Sequence, residues 1–279
     1  MLDLRIEGVD TEIHLRPMLR RIATYIRNHD WFAVVVEIFV IMIGLMLALQ
    51  LDRWREHREE LDLEYVYIQR LANDIATDVP VIENAIELQS MRLELVHLLL
   101  DVAVNPDAAL EQPVLFLGAV DQAAYTYTPT LTNHTFENLR TTGDMRLIRS
   151  DAVKESLFEY YNYDEAQRQY RPLQFNTESR HFELAAGILN VEQITYIQDE
   201  FLFFRPDDVD SLPDVDPGEF GVRDAAVRLG QRTDFIAWLP YIRSMQLEQI
   251  AVHEVRLQRA KLALRALQAY ESDAALPDG

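Results

Sequence analysis

The sequence predicts an all-α protein in which a single N-terminal transmembrane helix continues into a long-helix antiparallel bundle. Three observations predict it. From Phe32 to Leu51 the chain is apolar with one charge, Glu37. Beyond that run, apolar residues recur at three- and four-residue spacing as far as Leu100, with no Gly or Pro before Pro80 to separate them from it. A second such segment, from Asp234 to about Tyr270, lies near the other end of the chain, where it can return along the first.

The apolar run defines the first element. About 20 apolar residues rising 1.5 Å each match a hydrocarbon core of roughly 30 Å. A cleavable signal peptide would have a shorter apolar region, nearer the start and followed by a small-x-small site. "LMLALQL" offers no such site, so an uncleaved anchor over residues 31–52 is expected, with Trp31 and Trp54 at the membrane–water boundaries. Upstream, "HLRPMLRRIATYIRNHD" places Leu15, Met18, Leu19, Ile22, Tyr25 and Ile26 at helical spacing with arginines between them. Residues 1–30 are read as a tail carrying a basic amphipathic interfacial helix, anchored by Arg20, Arg21 and Arg27; a partner-binding helix is the alternative. Arg16, Arg20, Arg21 and Arg27 precede the run, while Arg53, Arg55 and Arg58 follow it. Positive flanks stay in the cytoplasm, so the N-terminus is expected there and residues 53–271 on the other side.

In that domain, Leu61, Tyr65, Ile68, Ala72, Ile75, Val79, Ile82, Ile86, Leu93, His97 and Leu100 are the expected inward face of a long bundle or coiled-coil helix. Pro80 lacks an amide hydrogen and its ring clashes with the preceding turn, which predicts a kink or break. "NPDAALEQP", residues 105–113, ends the arm. From Val114 to His134 the pattern is less regular, and "AAYTYTPTLTNHT" reads as a packed extended loop. "FENLRTTGDMRLIRSDAVKESLFEYYN" reads as a short helix, a stop at Gly143 and a new helix capped by Ser150, with Val153, Leu157, Tyr160 and Tyr161 inward. That pattern continues toward Gly187 with an interruption at Pro172. Three prolines and six acids make residues 205–221 a loop. Ile250, Leu257 and Leu264, flanked by Leu247 and Leu267, are expected to close the bundle, and residues 272–279 form a flexible tail.

The net charge of −20 falls almost wholly on the domain after Leu51. Such a surface repels phosphate backbones, which argues against nucleic acid and leaves a basic protein or divalent cations as what it would attract. No cysteine is present, so disulfides, thiolate nucleophiles and thiolate metal sites are excluded.

Glu37 is the residue whose chemistry stands out. An ionised carboxylate in hydrocarbon costs several kcal/mol, so it must be protonated, paired or turned toward protein. Ala33, Glu37, Ile41, Gly44 and Ala48 are spaced four, four, three and four apart and share one stripe. Small residues let another helix approach closely, and a buried acid hydrogen-bonds across the contact, which predicts a helix–helix interface with a copy of this chain or with another integral membrane subunit. A glutamate reaching out to the headgroups is the alternative; a proton relay would need more intramembrane polar groups than the neighbouring Gln50.

The seven histidines, at 14, 29, 57, 97, 134, 181 and 253, show no HxxxH or HExxH spacing, so metal ligation is not expected. His97 is read as a core or edge residue and His253 as helix surface. No GxSxG, Walker or GxGxxG pattern occurs, and neither catalysis nor a cofactor is predicted. The acidic loop offers Asp207, Asp208, Asp210, Asp214, Asp216 and Glu219 as oxygen donors, but "DVDSLPDVDPGE" does not fit the EF-hand loop, so a solvated loop is expected.

Two stretches carry a resemblance. In "VEIFVIMIGLMLALQLDRWREHREELDLEYVYIQRLANDI", Glu37, Gly44, Ala48, Leu49, Gln50 and Trp54, and in "TFENLRTTGDMRLIRSDAVKESLFEYY", Leu139, Gly143, Leu147, Ile148, Tyr160 and Tyr161, match the pattern of an uncharacterised family of bacterial single-pass membrane proteins, a domain of unknown function. Val36 departs from it, standing where the family has glycine. The resemblance implies an N-terminal anchor with an α-helical domain and no assigned activity; combined with the arginine balance, the expected location is the bacterial inner membrane with the α-helical domain in the periplasm. The expected function is that of a non-enzymatic accessory, assembly or stabilising subunit of a larger membrane complex; a membrane-anchored periplasmic sensor is the alternative.

Overall fold

The computed structural model describes residues 31–201, 204–209, 211–213, 215–218 and 220–274, and every regular element among them is helical. The chain divides into two compact units, Met1–Asp62 and Leu63–Gly279. The expected interfacial helix, with Arg20, Arg21 and Arg27, lies outside the described residues.

Helix α1 runs from Trp31 to Val104. From Val34 it contains a stretch long and apolar enough to cross a membrane, none of it buried. A soluble protein's core helix would be covered; this length and composition are consistent with a membrane anchor.

In the second unit α1 passes Pro80 without a break, so of the expected kink or break the break does not occur. Pro80 and Ala76 are both exposed, so the carbonyl that loses its partner faces water. Beyond Val104, the Asn105 side chain accepts from the Asp107 amide and opens a 3-10 turn, Pro106–Leu110. Helix α2, Pro113–Gln122, stands where the apolar spacing is irregular. Its Val114, Phe116, Leu117, Ala119 and Val120 are all buried, so it is covered on most faces and shows no stripe. Ala123–Asn133 is non-helical, as expected, and is called the strap below. Helix α3, His134–Thr142, ends at Gly143, whose φ of 80° is the left-handed conformation that suits glycine. Ser150 caps α4, Asp151–Arg168, by accepting from the Val153 amide. Val153, Leu157, Tyr160 and Tyr161 are buried there. Pro172 sits in the first turn of α5, Arg171–Ala185. Then follow α6 (Val191–Glu200), α7 (Pro206–Val209), α8 (Val222–Gln231) and α9, Thr233–Ala274, which runs past the expected end at 271.

Helices α1 and α9 are antiparallel. Glu64 accepts from the Tyr270 hydroxyl at 2.7 Å, Glu83 pairs with Lys261 at 2.7 Å, and His97 accepts from Arg243 at 3.2 Å, so rising numbers on one helix meet falling numbers on the other.

The facing stripes are not the predicted ones. On α1 the buried stripe is Glu64, Ile68, Leu71, Ile75, Asp78, Ile82, Ala85, Gln89, Arg92, Val96, Leu99 and Val102, spaced four and three, with Leu95 buried beside it. Of the predicted stripe only Ile68, Ile75 and Ile82 are on it; Leu61 and Tyr65 are exposed, and the rest flank it. On α9 the stripe is Phe235, Leu239, Ile242, Gln246, Gln249, His253, Arg256, Ala260, Ala263 and Leu267. Leu267 belongs to it, whereas Leu247 is exposed and Ile250, Leu257 and Leu264 lie on its edge. His253, expected on the surface, is 1% exposed. The polar members explain the misphasing. A search for apolar periodicity steps over Glu64, Asp78, Gln89, Arg92, Gln246, Gln249, His253 and Arg256, and settles on the neighbouring leucines and isoleucines.

Two apolar cores result, with a polar waist between them. One joins the C-terminal part of α1 to α2, α6, α8 and the start of α9 through residues such as Leu95, Phe116, Phe204 and Phe235. The other joins Ile68–Ile82 to α3, α4 and the end of α9 through Phe136, Leu157, Tyr160 and Ala263. Gln89, Gln246, Gln249, His253 and Arg256 belong to neither.

Candidate functional site

In the first unit the predicted packing face can be placed directly. Glu37, Ile41, Gly44 and Ala48 are exposed along one side of α1, while the Ala33 side chain is outside the described set. A Cβ added at Gly44 would meet nothing within 4 Å, so a neighbouring backbone has room to approach. Trp31 and Trp54 are also exposed, and the Arg58 guanidinium lies 4.9 Å from the centre of the Trp54 ring. That contact suits a side chain at the headgroup level. Here chemistry is limited to one carboxyl group able to donate or accept a hydrogen bond across an apolar contact.

The waist of the second unit has a different task. The strap has no helix or sheet to satisfy its backbone, yet Ala123, Ala124, Pro129 and Leu131 are buried. Side chains from the surrounding helices supply the missing partners. Gln246 donates to the carbonyls of Ala123 and Tyr125 at 2.9 and 3.1 Å. Glu178 accepts from the amide and hydroxyl of Thr126. His253 Nε2 lies 3.1 Å from the Tyr127 carbonyl, and Asp78 accepts from the Thr132 amide at 2.9 Å and from the Tyr160 hydroxyl at 2.8 Å. Burial raises the Asp78 carboxyl above the usual carboxylate range, and those hydrogen bonds partly oppose it.

His253 is held neutral. A carbonyl at Nε2 requires that nitrogen to donate, leaving Nδ1 to accept from Arg256 at 2.6 Å. Burial, with the adjacent guanidinium, lowers its pKa to about 4. Arg256, 1% exposed, pairs with Asp164 at 3.2 Å, and Asp164 pairs in turn with the half-exposed Arg168 at 2.8 Å. His181, fully buried, has the same tautomer, donating from Nε2 to the Val120 carbonyl at 2.9 Å; burial lowers its pKa to about 4.

Beside the waist opens a cleft of about 770 Å³. Arg92 and Phe204 form its buried side, Tyr125, Tyr127 and Phe182 add aromatic surface, and Glu87 and Asp207 are exposed in its lining. Arg92 donates to the Gln122 carbonyl at 2.8 Å and to the Phe204 carbonyl at 3.5 Å, and its guanidinium stands 5.1 Å from the centre of the Tyr125 ring. Burial draws its pKa down to about 10. Of these residues only Asp207 was singled out in the sequence, as a member of the acidic loop, and otherwise the Tyr- and Thr-rich composition of the strap marked the region. Among the described residues no three His, Asp or Glu side chains converge as metal ligands. Asp210, Asp214 and Glu219 of the acidic loop, and the Asp208 side chain, fall outside the described set.

A family model described as a family of unknown function, DUF6090, matches residues 37–201. The chain belongs to this family. The DUF6090 stretch takes in Glu37, Gly44 and Ala48, the arm of α1, the strap, and helices α2 to α6. It therefore contains Asp78, Arg92, Tyr127 and Asp164, whereas Gln246, His253 and Arg256 lie on α9, beyond the matched residues. No curated protein and no solved structure matches the chain.

Proposed function

We propose that this DUF6090 protein is a non-enzymatic accessory, assembly or stabilising subunit of a larger membrane complex. It contacts an integral membrane partner, or a second copy of itself, through the Ala33–Glu37–Ile41–Gly44–Ala48 face. The carrying observation is that Glu37, Ile41, Gly44 and Ala48 are exposed together on a helix with the length and composition of a membrane span. In lipid such a face is apolar except for Glu37, and pairing that carboxyl across a close helix contact removes its cost.

The chain lies in the bacterial inner membrane with its N-terminus in the cytoplasm and residues 53–271 in the periplasm, a reading supported by the arginine balance around the span. The acidic periplasmic domain is suited to a basic protein partner. The absence of a catalytic role is supported by the use made of the buried polar groups. Asp78, Gln246, His253 and Glu178 each satisfy the strap's backbone.

Extraction in a mild detergent, followed by mass measurement of the particle, tests the proposal. Stoichiometric co-purification with an integral membrane protein or a second copy is expected. A protein that runs alone as a monomer after such extraction would overturn it.

A further inference from the structure

The cleft beside the waist presents an unusual electrostatic arrangement. Arg92 is 6% exposed, and among the described residues no carboxylate stands within ion-pairing distance of it. Its hydrogen bonds go to two backbone carbonyls, which satisfy donors without neutralising charge, and Glu178 and Asp121 act on it only through space, Asp121 being engaged by the Tyr125 hydroxyl. A desolvated cation of this kind gains most from an anion brought up beside it, and the guanidinium fork matches a carboxylate in shape. The acids in the lining compete weakly. Glu87 and Asp207 are exposed, where water and salt screen them, and Glu178 is already bound to the Thr126 amide and hydroxyl. Tyr125, Tyr127, Phe182 and Phe204 give the lining an aromatic part that accepts a flat apolar body, and Arg205 adds a second, exposed guanidinium at its rim. A volume of about 770 Å³ is ample for a small molecule.

We propose that the cleft floored by Arg92 binds a small organic anion with a flat apolar body, an aryl carboxylate, with its carboxylate toward Arg92 and its ring against the tyrosine and phenylalanine walls. The cleft lies wholly within the second unit, so this proposal stands apart from the membrane-face reading and neither depends on the other.

The test uses full-length protein in lipid nanodiscs, with empty nanodiscs as reference. Phenylacetate is the probe, and 2-phenylethylamine and 2-phenylethanol are its cationic and neutral counterparts. Isothermal titration and ligand-observed saturation-transfer NMR are expected to show phenylacetate bound in excess of the reference and the two counterparts not. Arg92→Lys, which keeps the charge but loses the fork, is expected to weaken binding about tenfold. Because Arg92 also holds the Gln122 and Phe204 carbonyls, a second variant is needed. Leu88→Trp fills the cleft from α1 without touching those bonds, and is expected to abolish binding while the helical circular dichroism and melting profile stay intact. The proposal is overturned if the wild-type protein does not bind phenylacetate, if the amine binds as well, or if folded Leu88→Trp binds like wild type.

Discussion

His253 on α9 donates from Nε2 to the Tyr127 carbonyl at 3.1 Å while its Nδ1 accepts from Arg256 at 2.6 Å. Both ring nitrogens are engaged in the neutral state, and protonating Nδ1 would set two cations against each other. The folded pKa, about 4, therefore lies below the ordinary value of 6.5. With a depressed folded value, the unfolded chain takes up the proton first as pH falls. Stability is then full above pH 6.5 and declines from there toward about pH 4, by up to roughly 3 kcal/mol for one fully buried histidine. His181 acts in the same direction over the same window. Melting temperatures measured from pH 7 to pH 4 should fall, and His253→Gln, whose amide can donate to Tyr127 and accept from Arg256, should flatten the slope. An unchanged slope in a folded His253→Gln protein would show that His253 is not the group responsible.

The Asp164–Arg256 pair is asymmetric. Removing Asp164 leaves a guanidinium buried at 1% exposure with, among the described residues, no carboxylate paired to it and the neutral His253 as its hydrogen-bond partner, whereas removing Arg256 leaves Asp164 still paired with Arg168. Asp164→Ala should cost roughly 3–5 kcal/mol, and Arg256→Met clearly less. Urea denaturation of the two variants gives the order, and the reverse order would mean that the Arg168 pair does not compensate.

Gly118 on α2 meets the Phe204 ring so closely that an added Cβ would overlap it. Phe204 is fully buried and stacks on Phe201, so the ring has little room to retreat. Gly118→Ala should destabilise the domain by about 1–3 kcal/mol, as overpacking does, and should alter the cleft that Phe204 lines. A thermal melt matching wild type would show that the ring moves freely.

The arginine balance around the span makes a separate prediction. An alkaline phosphatase fused after Gly279, which folds only in an oxidising compartment, should be active in a bacterial host, and a fluorescent protein that requires the cytoplasm should be dark in the same place. The opposite pair of results would invert the topology.

What the sequence made legible was local. The long apolar helix, the stop at Gly143, the Ser150 cap, the interruption at Pro172 and the non-helical strap each depend on neighbouring residues, and each is present. The phase of the two long helices was not legible. At the waist the core positions include Gln246 and His253, and the choice of polar residues at these two reflects a strap distant in sequence whose carbonyls need partners. Apolar periodicity carries no record of that need. The stripe from Ala33 to Ala48 is a matter of spacing alone and so can be written down from the sequence, whereas the cleft cannot, because it gathers residues from α1, the strap, α5 and α7.

The proposed membrane contact is tested most directly by photo-crosslinking in native membranes. A photoreactive residue placed at Ile41 or Ala48 should capture an integral membrane protein or a second copy of the chain, while the same residue at Phe39 or Met46, on the opposite side of α1, should capture lipid alone. Glu37→Leu or Gly44→Ile should abolish the protein adducts while the second unit, Leu63–Gly279, stays folded. Equal capture from both sides, or adducts that survive both substitutions, would contradict an assembly built on this face.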